Sequence, residues 1–549
     1  MSVRILYSSG RIVFIQLIIL IGFLSLLGRL IYLQIFQDIF LDDQVFNRLE
    51  SQYSLLAPRG KILDRNGNVL ALDIKGYSVG VDLEKFRFEE ETIIFLSELL
   101  DKEPSSLSNM LYGKSSGYKE ISRNINFKTK EKLKDKKISG IYFRENLRRS
   151  YPERNITSHV VGLTDIDRKG IQGVELIFDN ELRGEEGSFE GIKGAKNTKL
   201  EGKRIEAVAG KNIILTIDIN IQSIAYHQLS EAIKENNAKA GSIVVIEPKS
   251  GDILGLVNYP SFDPSNRKNL VDMSKLRNRA TIDIFEPGSV LKPLAMSAIL
   301  ESDYLPKTFK IDTSPGWIEY EGFKTSDFKD YGTLSLSQII SLSSNVGMVK
   351  LCQHQDIEHL TNYYKKFGIG RYPTSIMLPA REGFLPHSSQ FTLRDKVSSC
   401  YGYGMTLSAL QIAQAYSVFA NDGNFIELNL FKDHSFDEPL HEKVLQKETN
   451  NIILDMLVET VNSSNGTASK ARLQEKIVAG KTGTAKESLE EETTYSATFA
   501  GFVPHDEPEY LAVVVLNGLS GEDYSGGRVS APVFSRLMQQ IFMLQDLKI

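Results

Sequence analysis

The residues best suited to covalent chemistry lie in Phe285-Glu286-Pro287-Gly288-Ser289-Val290-Leu291-Lys292, where a Pro-Gly turn delivers a serine onto an apolar helical run ending near Leu300. A serine hydroxyl is a poor nucleophile until a base takes its proton. A lysine can be that base once burial or a second cation lowers its pKa. Lys292 follows Ser289 by three residues and so shares its helical face, within reach of the hydroxyl. A helix start also supplies backbone N–H groups and a positive dipole where an oxyanion would form.

The spacing alone says little, because Ser116 with Lys119 and Ser265 with Lys268 repeat it outside any apolar helical context. Two further segments give it weight. Ser343-Ser344-Asn345 follows the apolar run Ile339-Ile340-Ser341-Leu342, and a hydroxyl and an amide two residues apart at a helix turn can relay a proton and hold a carbonyl. Ser463-Ser464-Asn465 repeats that pattern in what reads as a polar loop. Lys481-Thr482-Gly483-Thr484 follows Ile477-Val478-Ala479-Gly480; in isolation it reads as a surface turn. On a strand edge, Gly483 would let a substrate backbone lie close, while Lys481, Thr482 and Thr484 would offer a cation and hydroxyls to a terminal carboxylate. The candidate catalytic residues are therefore Ser289, Lys292, Ser343 and Asn345, and the candidate substrate-binding residues are Lys481, Thr482, Gly483 and Thr484.

These segments need a scaffold, and the chain is long enough for roughly two to four folded units. Its hydrophobic fraction of 42% and charged fraction of 24% suit a globular protein with only a small membrane portion. A net charge of -5, without a basic stripe interleaved with aromatics, argues against nucleic acid as a partner. Cys352 and Cys400 have neither C-x-x-C spacing nor a neighbouring histidine pair, so no zinc or thioredoxin-type site is indicated. They read as small buried side chains, or as a bridge if the compartment is oxidising.

From Ile12 to Gly28 only Gln16 and Ser25 interrupt an apolar run that resumes after Arg29 as far as Phe36. That exceeds the apolar core of a cleaved signal and is long enough to cross a bilayer, so residues 12–36 are predicted to be an uncleaved anchor. Arg4 and Arg11 precede it, and Asp38, Asp42 and Asp43 follow it. The positive-inside tendency puts tail residues 1–11 in the cytoplasm and the remainder outside. Residues 37–210, rich in charge and turns such as Asp64-Arg65-Asn66-Gly67, are expected to form a strand-rich domain. Residues 211–549 run from strands (Gly241–Ile246, Asp252–Val257) through helices to strands again (Ala497–Phe502, Tyr510–Leu516). The expected class is α+β, with helices flanking an antiparallel sheet.

The order Ser-x-x-Lys, then Ser-x-Asn about 50 residues on, then Lys-Thr-Gly-Thr about 140 later is the set found in penicillin-binding proteins and class A β-lactamases. The whole chain resembles class B penicillin-binding proteins, most closely the division-specific FtsI type. Arg59-Gly60-Lys61-Ile62-Leu63-Asp64-Arg65-Asn66-Gly67, Arg148-Arg149-Ser150-Tyr151-Pro152 and Gly170-Ile171-Gln172-Gly173-Val174-Glu175 look like its pedestal motifs. Asn278-Arg279-Ala280, Asp327 through Gly332, Tyr401-Gly402-Tyr403-Gly404 and Tyr524-Ser525-Gly526-Gly527 look like parts of its catalytic domain. One departure is Leu378-Pro379-Ala380-Arg381-Glu382-Gly383, where the family more often has Leu-Pro-Gly-Glu.

The resemblance implies a pedestal over residues 37–210 and a transpeptidase domain over 211–549. It implies that Ser289 attacks the D-Ala-D-Ala carbonyl of a lipid II-derived peptidoglycan stem, with Lys292 as base. The N–H groups of Ser289 and Thr484 would form the oxyanion hole. Ser343 and Asn345 would assist proton transfer, and Lys481, Thr482 and Thr484 would receive the terminal carboxylate. It further implies no metal or organic cofactor, inhibition by β-lactams, and partnership with a SEDS-type membrane glycosyltransferase and other division proteins. A D,D-carboxypeptidase or β-lactamase and a catalytically silent division scaffold are the competing readings.

Overall fold

Apolar side chains dominate the first helix, α1 (Ser9–Ile31), whose stretch Ile12–Ile31 carries a single charge, Arg29. At about 1.5 Å per residue it is long enough to cross a hydrocarbon core, and from Ile12 onward its side chains are exposed. The computed structural model describes residues 9–32, 50–112, 117–192, 201–266, 271–302, 308–432, 441–489, 492–521 and 523–547. Most of the predicted cytoplasmic tail, residues 33–36 of the predicted anchor, Asp38, Asp42, Asp43, Ser116 and Lys268 lie outside them.

Packing divides the chain into two units, one of Met1–Pro58 with Gly184–Ala209 and one of Arg59–Arg183 with Gly210–Ile549. The first contains α1 and three antiparallel strands, Glu50–Leu55, Gly187–Ile192 and Glu201–Ile205, with Gly187–Ile192 in the middle. In the second, Asp64 accepts from the N–H groups of Asn66 and Asn68 and closes the predicted turn between strands Ile62–Leu63 and Val69–Asp82. The long strand Val69–Asp82 pairs with Tyr118–Ile125 and Ile141–Ser150. Three helices not expected from the sequence, Glu90–Leu100, Pro104–Leu111 and Phe127–Asp135, accompany these strands. Each of the three pedestal-like motifs supplies one member of a buried ion network. Glu175 accepts from Arg59 Nε and from Arg149 Nε, both at 2.6 Å, while Arg59 also reaches Asp179 and Arg149 reaches Asp73.

Helix α2 (Ile219–Glu235) precedes a five-stranded antiparallel sheet of β1 (Ala240–Ile246), β2 (Ile253–Tyr259), β3 (Ala479–Leu489), β4 (Glu492–Val503) and β5 (Tyr510–Leu519). The strand order is β2-β1-β5-β4-β3, which leaves β3 at an edge. Ile243 and Val245 face one core with α2 and the last helix, α8 (Gly526–Asp546); Val244 and Ile246 face the other. Burial on both faces explains why β1 and β5 read as unbroken apolar runs rather than alternating ones. Between β2 and β3 lie α3 (Lys292–Glu301), α4 (Leu336–Ser341), α5 (Asn345–Cys352), α6 (Leu393–Ser399) and α7 (Ala409–Ala420), with α7 on the second core. Cys352 and Cys400, which the sequence left open, are joined in a disulfide and are wholly buried.

Candidate active site

Ser289 sits in a single 3-10 turn, Gly288–Leu291, immediately before α3. The sequence predicts a helix start at Ser289, and the structure moves it to Lys292. Pro293 explains the shift: it has no N–H to donate and fits the first turn of an α-helix. The tighter turn brings residues i and i+3 into line, which stacks Lys292 over Ser289, and the Lys292 N–H closes the turn on the Ser289 carbonyl. Gly288 has φ +57° and donates its N–H to Gly402 O at 3.0 Å. Gly402 is as tightly held, because a Cβ there would lie 2.0 Å from Gly288 O. Behind the turn, the buried Tyr416 hydroxyl donates to Val290 O at 2.6 Å.

The Lys292 side chain is fully buried, and its Nζ donates to Ser343 O at 2.5 Å and to Ser343 Oγ at 3.1 Å. Ser343 has φ +60° between α4 and α5, a left-handed conformation that costs a non-glycine residue about 1 kcal/mol or more. Asp327 ties down the next turn. Its carboxylate accepts from Ser344 Oγ at 2.6 Å, Asn345 N at 2.5 Å and Val346 N at 3.0 Å. Ser344 Oγ in turn caps α5 by accepting from Gly347 N, and the Asn345 amide donates to Ser326 O at 3.2 Å.

The opposite wall is the edge strand β3. Gly483 lies against the serine turn, so that a Cβ there would meet Pro287 O at 2.8 Å, and Thr484 O is next to Gly288. Thr484 Oγ1 accepts from Gly526 N at 3.1 Å at the start of α8, which orients its hydroxyl. Lys481 is fully buried, and its Nζ donates to Thr482 O at 3.2 Å. Thr482 Oγ1 bonds Thr467 Oγ1 at 3.2 Å.

Burial holds the Lys292 amine well below the ordinary lysine range; the nearby Lys481 charge pushes the same way and Asp327 opposes it. Burial alone brings Lys481 down to about 7. A neutral amine has two hydrogens and one lone pair. In that state Lys292 can keep both bonds to Ser343 and still offer its lone pair to a proton donor.

The three sequence segments thus meet: Lys292 touches Ser343, and the turn holding Ser289 packs on Gly483 and Thr484. Ser265 lies on a loop, its N–H bound to Asp263. The second Ser-x-Asn is nearer the site than its polar composition suggested, because its loop carries Thr467. Thr467 and the carboxylate role of Asp327 were not assigned from the sequence. The signal for Thr467 was faint, a Gly-Thr pair after the loop; that for Asp327 was its place in a family-like segment. The departure at Ala380-Arg381 is absorbed locally, with Arg381 N bonding Thr281 O.

A serine at the head of a buried helix, on one turn with a lysine whose amine burial drives toward neutrality, and beside an open strand edge, is the make-up of serine acyl-transferring enzymes that use lysine as base. The chain belongs to the penicillin-binding protein transpeptidase family, whose transpeptidase domain it matches over residues 241–539; the family's dimerisation domain matches over 54–215. It is 32% identical over 541 residues to the probable peptidoglycan D,D-transpeptidase PenA of Neisseria gonorrhoeae, covering 97% of this chain and 92% of that protein. Against the peptidoglycan D,D-transpeptidase FtsI of Escherichia coli K12 the identity is 29% over 542 residues, with 96% and 91% covered. Penicillin binding protein 3 of Mycobacterium tuberculosis, solved with aztreonam, superposes with a TM-score of 0.69 at 25% identity, over 90% of this chain and 97% of that one.

Proposed function

We propose that the protein is a peptidoglycan D,D-transpeptidase of the FtsI type, acting through an acyl-enzyme on Ser289. The observation that carries this reading is the buried Lys292 amine, bonded to Ser343 and borne on the same turn as Ser289. Lys292 takes the Ser289 proton as Oγ attacks the penultimate D-Ala carbonyl of a stem. The N–H groups of Ser289 and Thr484 hold the oxyanion, and Lys481, Thr482 and Thr484 hold the terminal carboxylate. The C–N bond to the terminal D-Ala breaks, and its amine leaves with a proton relayed through Lys292 and Ser343. Asn345 holds the donor amide. An amine of a second stem then attacks the ester, and Ser289 recovers its proton. Penicillins, which mimic acyl-D-Ala-D-Ala, acylate the same oxygen.

On this reading residues 37–210 form the pedestal and 211–549 the catalytic domain, held by the α1 anchor with the N-terminus cytoplasmic. The nucleophile is tested by intact-protein and peptide mass spectrometry after exposure to penicillin. A single adduct on the Ser289 peptide, absent from Ser289→Ala, is expected; an adduct elsewhere, or none in the wild type, refutes the assignment. A septal role, working with a SEDS-type glycosyltransferase, follows from the FtsI likeness. Its test is depletion: filaments are expected, and round cells that still divide overturn it.

A further inference from the structure

The Cys352–Cys400 disulfide joins two segments that each hold one wall of the site. Cys352 ends α5, the helix that begins with Asn345 and is capped by Ser344. Cys400 follows α6 and stands two residues before Gly402, whose carbonyl receives the Gly288 N–H. Gly404 N donates to Glu286 on the other side of the serine turn, and the Tyr401 hydroxyl meets Thr325, two residues from Asp327. A second tie runs in parallel, from Lys396 Nζ of α6 to Gln353 O and Gln355 O beyond α5. The covalent link therefore ties the far end of the helix that starts at Asn345 to the segment leading into the loop under Ser289. Both cysteines are wholly buried in the second core.

We propose that Cys352 and Cys400 are positioning residues, and that their oxidation sets the distance between the Ser289 turn and the Ser343–Asn345 turn that acylation needs. The bond would be made as the domain folds outside the membrane. In that step the two thiols lose two electrons and two protons to a disulfide-bearing oxidant, which leaves as two thiols. The proposal rests on the reading of Ser289 as nucleophile.

The test uses the full-length protein in detergent, with the binding constant and the acylation rate constant for a fluorescent penicillin measured separately. Three forms are compared: oxidised wild type, wild type reduced and shown by alkylation mass spectrometry to carry two free thiols, and Cys352→Ala/Cys400→Ala. In the reduced and variant forms acylation is expected to slow by about tenfold to a hundredfold, the range for a displacement near 1 Å. The binding constant should stay within about twofold, and re-oxidation of the reduced wild type should restore the rate. A loss of stability alone would leave the acylation constant of the folded fraction unchanged. Full-rate acylation by verified reduced wild type, or by protein isolated from membranes with free thiols, overturns the proposal, whether or not the double variant folds. Failure of the serine reading looks different: oxidised wild type would itself lack an adduct on Ser289.

Discussion

Replacing Asp327 with asparagine separates two effects that the structure sets against each other. The carboxylate accepts three hydrogen bonds, from the Ser344 hydroxyl and the Asn345 and Val346 N–H groups, and these fix the turn that carries Ser343 and Asn345. Hydrogen bonds to a charged acceptor contribute about 1.5–3 kcal/mol and neutral ones about 0.5–1.5, so neutralising Asp327 weakens each by roughly 1 kcal/mol. Turned one way the asparagine NH2 faces the two backbone N–H donors; turned the other it meets the Ser344 hydroxyl, which must then accept instead of donating. A total near 3 kcal/mol is available, and if about half is lost from the transition state the acylation rate falls some tenfold or more. The charge acts the other way on the base, since Asp327 favours the protonated form of Lys292. Its loss lowers the Lys292 pKa further and moves the acidic limb of the rate to lower pH. The expected signature in Asp327→Asn is a reduced plateau with an acidic limb displaced downward, read from fluorescent-penicillin acylation across pH. An unchanged plateau, or a limb displaced upward, refutes the assignment of Asp327 as the holder of this turn.

Three other outcomes follow from the geometry. Gly402→Ala puts a methyl group 2.0 Å from Gly288 O at a residue with φ +90°, so acylation should fall by about a hundredfold or more while thermal denaturation shows the chain still folded. Glu175→Gln leaves Arg59 and Arg149 without their shared buried anion, and a loss of about 3–5 kcal/mol is expected in denaturant titrations, with acylation per folded molecule unchanged. Burial holds Lys481 at about 7 against an ordinary 10.5, so between those values the unfolded chain binds a proton that the folded chain does not, and stability falls as pH drops through that window. Lys481→Met should therefore raise the melting temperature more at pH 7 than at pH 10, by a free energy of at most about 5 kcal/mol, while weakening penicillin binding; an equal gain at both pH values contradicts the buried, neutral amine.

Much of the centre was legible because its chemistry is carried by side chains in short, ordered motifs: Ser289 with Lys292, Ser343 with Asn345, and Lys481 through Thr484. The strands were legible too, since β1 and β5 are unbroken apolar runs and the turn at Asp64 has its own signature. What escaped acts through the backbone or across long sequence separations. Gly402 matters for the absence of a side chain beside Gly288, and Asp327 for three bonds whose donors lie some 17 to 19 residues downstream. Thr467 meets Thr482 only because the loop after the helix Lys447–Asn462 folds back on the edge strand. The 3-10 turn at Ser289 was encoded by Pro293, a residue that reads in sequence as part of the helix. Pairing of Cys352 with Cys400 needs two helices to converge across a separation of 48, which no local pattern reveals.

The two buried lysines explain why this arrangement costs stability and is nonetheless useful. Each would be more comfortable in water, and for Lys292 the repulsion of the Lys481 charge adds to its own desolvation. That repulsion makes the pair hold fewer protons than two separate amines would. Lys292, pressed by burial and by the Lys481 charge, is driven toward the neutral amine that a base requires. Lys481, held near 7, can regain charge when an anionic group enters beside it, and a stem or penicillin carboxylate is such a group. On the proposed reading, carboxylate binding and base readiness therefore draw on the same electrostatic field. A ligand lacking that carboxylate would leave Lys481 largely uncharged above pH 7 and would lose affinity for a site whose base is still free to act.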